Sequence, residues 1–146
     1  MAPPGLDITL RLSLREGSVY YFTERTLTSP EPHYFIVVNS DPLTQQVLLL
    51  SVVTSKVVEV KERRAGCLET VVELSPESFD VLTKPSIVDC NRLKTVPLTE
   101  FNERFQNREI RSFPKDLPPA LRKALRRAIH ASAIVAGELK ALVAPA

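Results

Sequence analysis

The chain begins with a strict alternation. In "DITLRLSLREG", Ile8, Leu10, Leu12 and Leu14 are separated by Thr9, Arg11 and Ser13. A period of two puts the apolar side chains on one side of an extended backbone, so the stretch predicts a strand with one buried face. The turn "REG" ends it, with Gly17 supplying conformational freedom. "SVYYFTE" predicts a second strand. "YFIVVN" and "QVLLLSVVTSK" are apolar, β-branched runs on either side of the turn-rich "SDPLTQ", and "LETVVEL" adds another. "IVDCNRLKTV" starts as a sixth strand and ends in a crowd of hydrogen-bonding side chains. "RTLTSPEPH", residues 25–33, carries two prolines and no apolar period and is read as a loop. "SPESFDVL" has a capping serine and a proline suited to a first turn, and predicts a short helix. Six short strands with hairpin-like breaks predict a small, strongly curved antiparallel sheet or partly open barrel.

The period then changes. "LTEFNERF" predicts a short helix with Thr99 as its cap. After Pro114, "PPALRKALRRAIHASAIVAGELKALV" places Leu121, Leu125, Ala128, Ser132, Val135, Leu139 and Leu142 on one helical stripe. A continuous helix from Pro118 to Val143 would be roughly 39 Å long, more than a small barrel needs as cover. The fold class expected is therefore α+β and mainly β: a barrel-like core over residues 1–97 and a helical C-terminal part over 98–146, in a single domain.

Composition changes this picture little. The 146 residues are 44% hydrophobic and 25% charged, which suffices for one buried core. No apolar run is long enough to span a bilayer, and "MAPPGLDITL" lacks the layout of an export signal, so a cytoplasmic protein without a membrane partner is expected. Cys67 and Cys90 have no neighbours in metal-ligand spacing, and His33 and His130 lie in unrelated contexts; no metal or cofactor is expected. Charge is more informative. Between Arg104 and Arg127 stand eight basic and two acidic residues, against a whole-chain net charge of +2. Such a segment attracts RNA, DNA or an acidic protein partner, or else forms a solvated basic face.

Four segments, taken in order, resemble the MazF/PemK toxins of toxin–antitoxin systems. "EGSVYYF" resembles the family's opening strand and "PHYFIVVNS" its second core strand. "LLLSVVTSK" resembles the "PITS" strand end, and "IVDCNRLKTV" the later strand with its Cys-Asp-Gln-Pro-Arg-Thr type of run. The resemblance covers roughly residues 16–105. It implies an SH3-like barrel that pairs as a homodimer, with the activity of a metal-independent endoribonuclease on single-stranded RNA, restrained by an antitoxin that is expected to be acidic. The chain also departs from the family. The family arginine before the second strand falls on His33 and the following proline on Tyr34. The family aspartate of the later strand falls on Asn91 and its arginine on Lys94, while Thr95 matches the hydroxyl. "RTLTSPEPH" replaces the glycine-rich first loop.

Metal-free RNA cleavage needs a base for the ribose 2′-hydroxyl proton, an acid for the leaving 5′-oxygen and a cation for charge on phosphorus. His33 is the candidate base or acid, because an imidazole exchanges protons near neutrality. Lys94 is the candidate phosphate cation, with Arg92 able to supply the two-pronged geometry that lysine lacks. Thr54 joins the candidate catalytic set; Ser55, Asn91, Arg92 and Thr95 are candidate substrate-binding groups, Asn91 as a reader of a base edge. A Cys90 nucleophile is disfavoured by its apolar neighbours. Each residue also has a plainer reading: His33 in a turn, Thr54 and Ser55 bonded to their own backbone, Arg92 and Lys94 as solvated charges. A barrel that binds RNA or an acidic protein without cutting is the alternative function.

Overall fold

The computed structural model describes residues 5–24 and 31–146; most of the expected loop over 25–33 lies outside them. Six strands form one antiparallel sheet: β1 (Val19–Phe22), β2 (His33–Val37), β3 (Val47–Thr54), β4 (Val71–Leu74), β5 (Ser86–Pro97) and β6 (Arg111–Ser112). Their spatial order is β4-β5-β3-β2-β1-β6. The two outer strands, β4 and β6, do not pair with each other, so the ladder is not closed into a barrel. The long β5 pairs with β3 and β4, and a bulge between Ser51 and Val53 shifts the β3 register.

Alternation along the strands separates two cores. Val19, Ile36, Leu49, Val53, Val88 and Cys90 face one side of the sheet, where α5 (Pro119–Ala131) covers them through Leu125, Ala128 and Ile129. Tyr20, Phe22, Phe35, Leu48 and Leu50 face the other, beneath α1 (Ile8–Ser13) and α4 (Leu98–Gln106). Each fully buried leucine or phenylalanine contributes about 1.5–3 kcal/mol relative to exposure, so two filled faces stabilise the sheet from both sides.

Several expectations are corrected. The opening alternation forms α1, not a strand. Leu6, Leu10 and Leu14 are spaced one helical turn apart and all are buried, while Ile8 and Leu12 stay 68% and 75% exposed. Asp7 starts the helix, its Oδ1 accepting from the backbone N–H of Thr9 at 2.8 Å and Leu10 at 3.3 Å. Residues 75–82 form turns rather than a helix, because the Ser75 and Ser78 hydroxyls take up neighbouring backbone groups. Leu98 begins α4 after Pro97, with no side-chain cap from Thr99. Among the described residues, β6, α2 (Pro42–Gln45), α3 (Val57–Arg63) and a 3-10 turn at Leu68–Thr70 were not expected, the last taking the start of the expected strand "LETVVEL".

The long C-terminal helix is two segments, α5 and α6 (Gly137–Lys140). Ser132 takes extended dihedrals, and its hydroxyl accepts from the N–H groups of Ile134 and Val135 while donating to Asn91 Oδ1 at 2.6 Å. Lys140 Nζ donates to the carbonyls of His130 and Ser132, occupying acceptors that the end of a helix leaves open. Val135 in the link and Leu139 in α6 still reach the α5-side core. No helix of the described residues is long and apolar enough to cross a membrane.

The basic segment is largely committed to internal contacts. Lys115 pairs with Asp80, and Arg126 grips Glu16 through two hydrogen bonds of 2.8 and 2.7 Å, which raises its already high pKa. Arg104 lies over the Phe22 ring and Arg111 over Phe113. Lys123 and Arg127 remain exposed on α5.

Candidate active site

A cleft of about 550 Å³ opens where β2 begins and β3 ends. Residues at strand ends turn away from the sheet, so groups from both of its faces reach this cavity. Its third wall is α3, a short helix anchored by Val60, which is 2% exposed. Glu59 in the first turn and Lys61 and Arg63 in the last match the helix dipole, which favours helix over a continuation of the strand.

Asp89 of β5 ties α3 down. Its carboxylate accepts from Arg64 Nε at 3.0 and 3.2 Å and from Arg63 Nη2 at 3.4 Å. It also accepts from the backbone N–H and side-chain amide of Asn91, at 3.1 and 2.8 Å. Burial by itself would raise the Asp89 pKa; the Asn91 and Arg64 hydrogen bonds outweigh burial and hold it below the ordinary carboxylate value. The carboxylate therefore stays charged and fixes the direction of both arginines.

Of the residues singled out in the sequence, His33, Thr54, Ser55 and Arg92 line the cleft together. His33 Nδ1 is buried and has no hydrogen-bond partner among the described residues. An unpaired buried nitrogen costs about 1–3 kcal/mol, and such a group beside a cleft marks a place where a ligand can complete the bonding. Thr54 Oγ1 accepts from the Lys56 N–H at 3.2 Å, an arrangement that turns the chain out of β3 and leaves the hydroxyl hydrogen to be donated.

The other three lie outside the lining. Asn91 is 6% exposed, its amide donating to Thr70 Oγ1 and Asp89 while its carbonyl oxygen accepts from Ser132. It joins β5 to the end of α5. Lys94 forms an ion pair with Glu24 at 3.3 Å. Thr95 is exposed opposite Leu49, further along β5. Cys90 is fully buried, and burial, helped by the charge of Asp89, pushes its thiol up to about 12, so it stays protonated and unreactive.

Sequence reasoning missed Lys56, Arg63 and Lys84, which bring three cations to the cleft, and Tyr21 and Tyr34, which form an aromatic wall. Glu31 and Glu59 also line it, so the cavity is mixed in charge with a cationic excess once Asp89 is matched by Arg64. The signal for α3 was present in "KVVEVKERR": apolar Val57 and Val60 three apart, with the cations around them. Among the described residues, no group of three His, Cys, Asp or Glu side chains is placed to hold a metal ion.

No family model matches the sequence, and no curated protein does. Among solved structures, the chain is similar to an endoribonuclease in complex with its cognate antitoxin from a mycobacterial species. The two share 15% identity and superpose with a TM-score of 0.51, over 80% of this chain and 91% of the other. At that identity the likeness shows a shared fold and nothing further.

Proposed function

We propose that the chain is a toxin-like, metal-independent endoribonuclease that cleaves single-stranded RNA and is held in check by an antitoxin partner. The observation that carries this reading is the grouping of an unsatisfied imidazole, a hydroxyl donor and several cations in one cleft. The fold shared with an endoribonuclease bound to its antitoxin supports it. The resemblance to MazF/PemK toxins adds the expectation of an SH3-like architecture, a homodimer and a cytoplasmic location.

In this mechanism the His33 imidazole takes the proton of a ribose 2′-hydroxyl. The 2′-oxygen attacks the adjacent phosphorus, the bond from phosphorus to the 5′-oxygen breaks, the leaving oxygen takes a proton from solvent water, and the imidazolium returns its proton to solvent. The products are a 2′,3′-cyclic phosphate and a free 5′-hydroxyl. Arg92 and Arg63 stabilise the charge that develops on the non-bridging oxygens, and Thr54 donates its hydroxyl hydrogen to one of them. Ser55 and Lys56 bind the flanking backbone. Lys94, engaged with Glu24, stands outside this assignment.

Incubating purified protein with a long unstructured RNA in EDTA tests the proposal. Fragments ending in cyclic phosphate are expected, and His33→Ala should slow their formation by about a hundredfold or more. RNA left intact at high protein concentration would rule out nuclease activity. The second reading, a protein of this fold that binds RNA without cutting it, is favoured by the imidazole standing where the resembled family has an arginine; retained RNA binding without products would establish it.

A further inference from the structure

We propose that Tyr21, Tyr34 and Phe113 form a stacking ladder that receives the unpaired bases of the RNA beside the phosphate cleft, an inference that rests on the ribonuclease reading above. Tyr21 of β1 and Tyr34 of β2 are direct partners in the antiparallel register. Their ring centroids lie 4.8 Å apart and the Tyr34 and Phe113 rings 5.5 Å apart, with the planes tilted by 52° and 48°, so each ring presents its own face to a base rather than stacking on the next. The Arg111 guanidinium covers the Phe113 ring at 4.9 Å, adding an exposed cation at the sheet edge.

Tyr34 and Phe113 also pack against the α5-side core, but the cluster is more open than the rings of the opposite face. There, Tyr20, Phe22, Phe35 and Phe101 are at most 3% exposed and fill the space beneath α1 and α4. The three rings of the ladder are only half-buried, and Tyr21 and Tyr34 are part of the cleft wall that also holds His33. His33 and Tyr34 are consecutive in β2 and leave opposite faces of the sheet, but both line the cleft at the start of the strand, so a base against the Tyr34 ring brings its strand into the cavity that holds the imidazole. Every base has a π-face, so such a ladder selects unpaired over duplex strands without reading a sequence. Arg111 beside the outer ring supplies a cation for the same nucleotide's phosphate or face.

The experiment compares two single-stranded oligonucleotides with 2′-O-methyl riboses, which lack the attacking hydroxyl, at equal length and salt. One carries all its bases and the other has two consecutive abasic positions. The full chain should bind the abasic strand roughly tenfold more weakly, or worse, because base–aromatic stacking is lost while the phosphates are kept. In Tyr21→Leu and Phe113→Leu proteins the difference between the two strands should shrink, with tight-binding loss confined to the strand that carries bases. Equal affinity of the unaltered protein for both strands overturns the ladder and leaves the ribonuclease reading standing. An equal loss on both strands in the leucine variants also overturns it, since damage to the fold or the phosphate site would act that way. Failure to bind either strand removes the ribonuclease reading and the ladder with it.

Discussion

Arg64 and Asp89 meet at 3.0 Å at the wall of the cleft, with only 13% and 7% of their side chains exposed. The contact joins the end of a seven-residue helix, too short to be stable alone, to the central strand β5. The position of Arg63 and Lys56 in the cleft therefore depends on a carboxylate in the cleft wall.

Replacing Asp89 with Asn should cost about 2 kcal/mol at neutral pH, since it removes charge-assisted hydrogen bonds and leaves Arg64 partly buried and unmatched. The pH dependence follows from the lowered pKa. A depressed native pKa contributes stability in full above the unfolded value, near 3.8, and loses it as the pH falls through the native value. The gap between the two proteins in urea unfolding should thus narrow as the pH is taken down through the carboxylate range. A gap that is unchanged in acid would show the charge on Asp89 to be irrelevant.

Gly17 is a second point where one atom decides. It has a φ of +92°, and a methyl group added there would stand 2.5 Å from Arg122 Cδ. Gly17→Ala should destabilise by about 1–2 kcal/mol from the backbone alone, with the side-chain contact in addition. Adding Arg122→Ala should recover the contact part and leave the backbone part. Full recovery in the double variant, read from thermal unfolding, would mean that the backbone at Gly17 is unstrained.

The strands were legible because β-branched runs such as "YFIVV" and "VLLLSVV" suit only a sheet. The first segment was misread for a physical reason: apolar residues at 6, 8, 10, 12 and 14 satisfy a two-residue period, and every second one also satisfies a four-residue period. Asp7, able to cap, was the local clue that chose between them. The break at Ser132 was hidden because Val135 and Leu139 keep the helical spacing although Val135 packs from the link and Leu139 from α6. In the cleft, His33, Thr54, Ser55 and Arg92 could be singled out from strand ends and resemblance. Arg63 and Lys56 were missed because the α3 signal in "KVVEVKERR" spans only two turns, and the contact of Asp89 with Arg63 and Arg64 that places the helix against the cleft joins residues distant in sequence.

The Ser132 break can be tested directly. Its hydroxyl serves Asn91 Oδ1 and two backbone N–H groups, so Ser132→Ala leaves three buried or half-buried polar groups short of a partner. A loss of about 2–3 kcal/mol is expected, with faster amide exchange at Ile134 and Val135. Slow exchange at both positions in the alanine variant would mean that backbone geometry alone ends α5.

The contrast between Arg92 and Lys94 separates the cleft from the sequence pattern. Both are cations on β5 in the stretch that resembles the toxin strand, yet only Arg92 lines the cleft, and Lys94 sits 3.3 Å from Glu24. If RNA lies in the cleft, Arg92→Ala should weaken binding and lower the slope of log affinity against log salt by about 1, the signature of one lost phosphate contact. Lys94→Ala should leave that slope unchanged, because its charge already has a protein partner and no place in the cavity. Titrating an uncleavable RNA analogue at several salt concentrations measures both. A lowered slope in Lys94→Ala with none in Arg92→Ala would move the phosphate path along β5 and away from His33, and the chemistry assigned to the imidazole would lose its substrate.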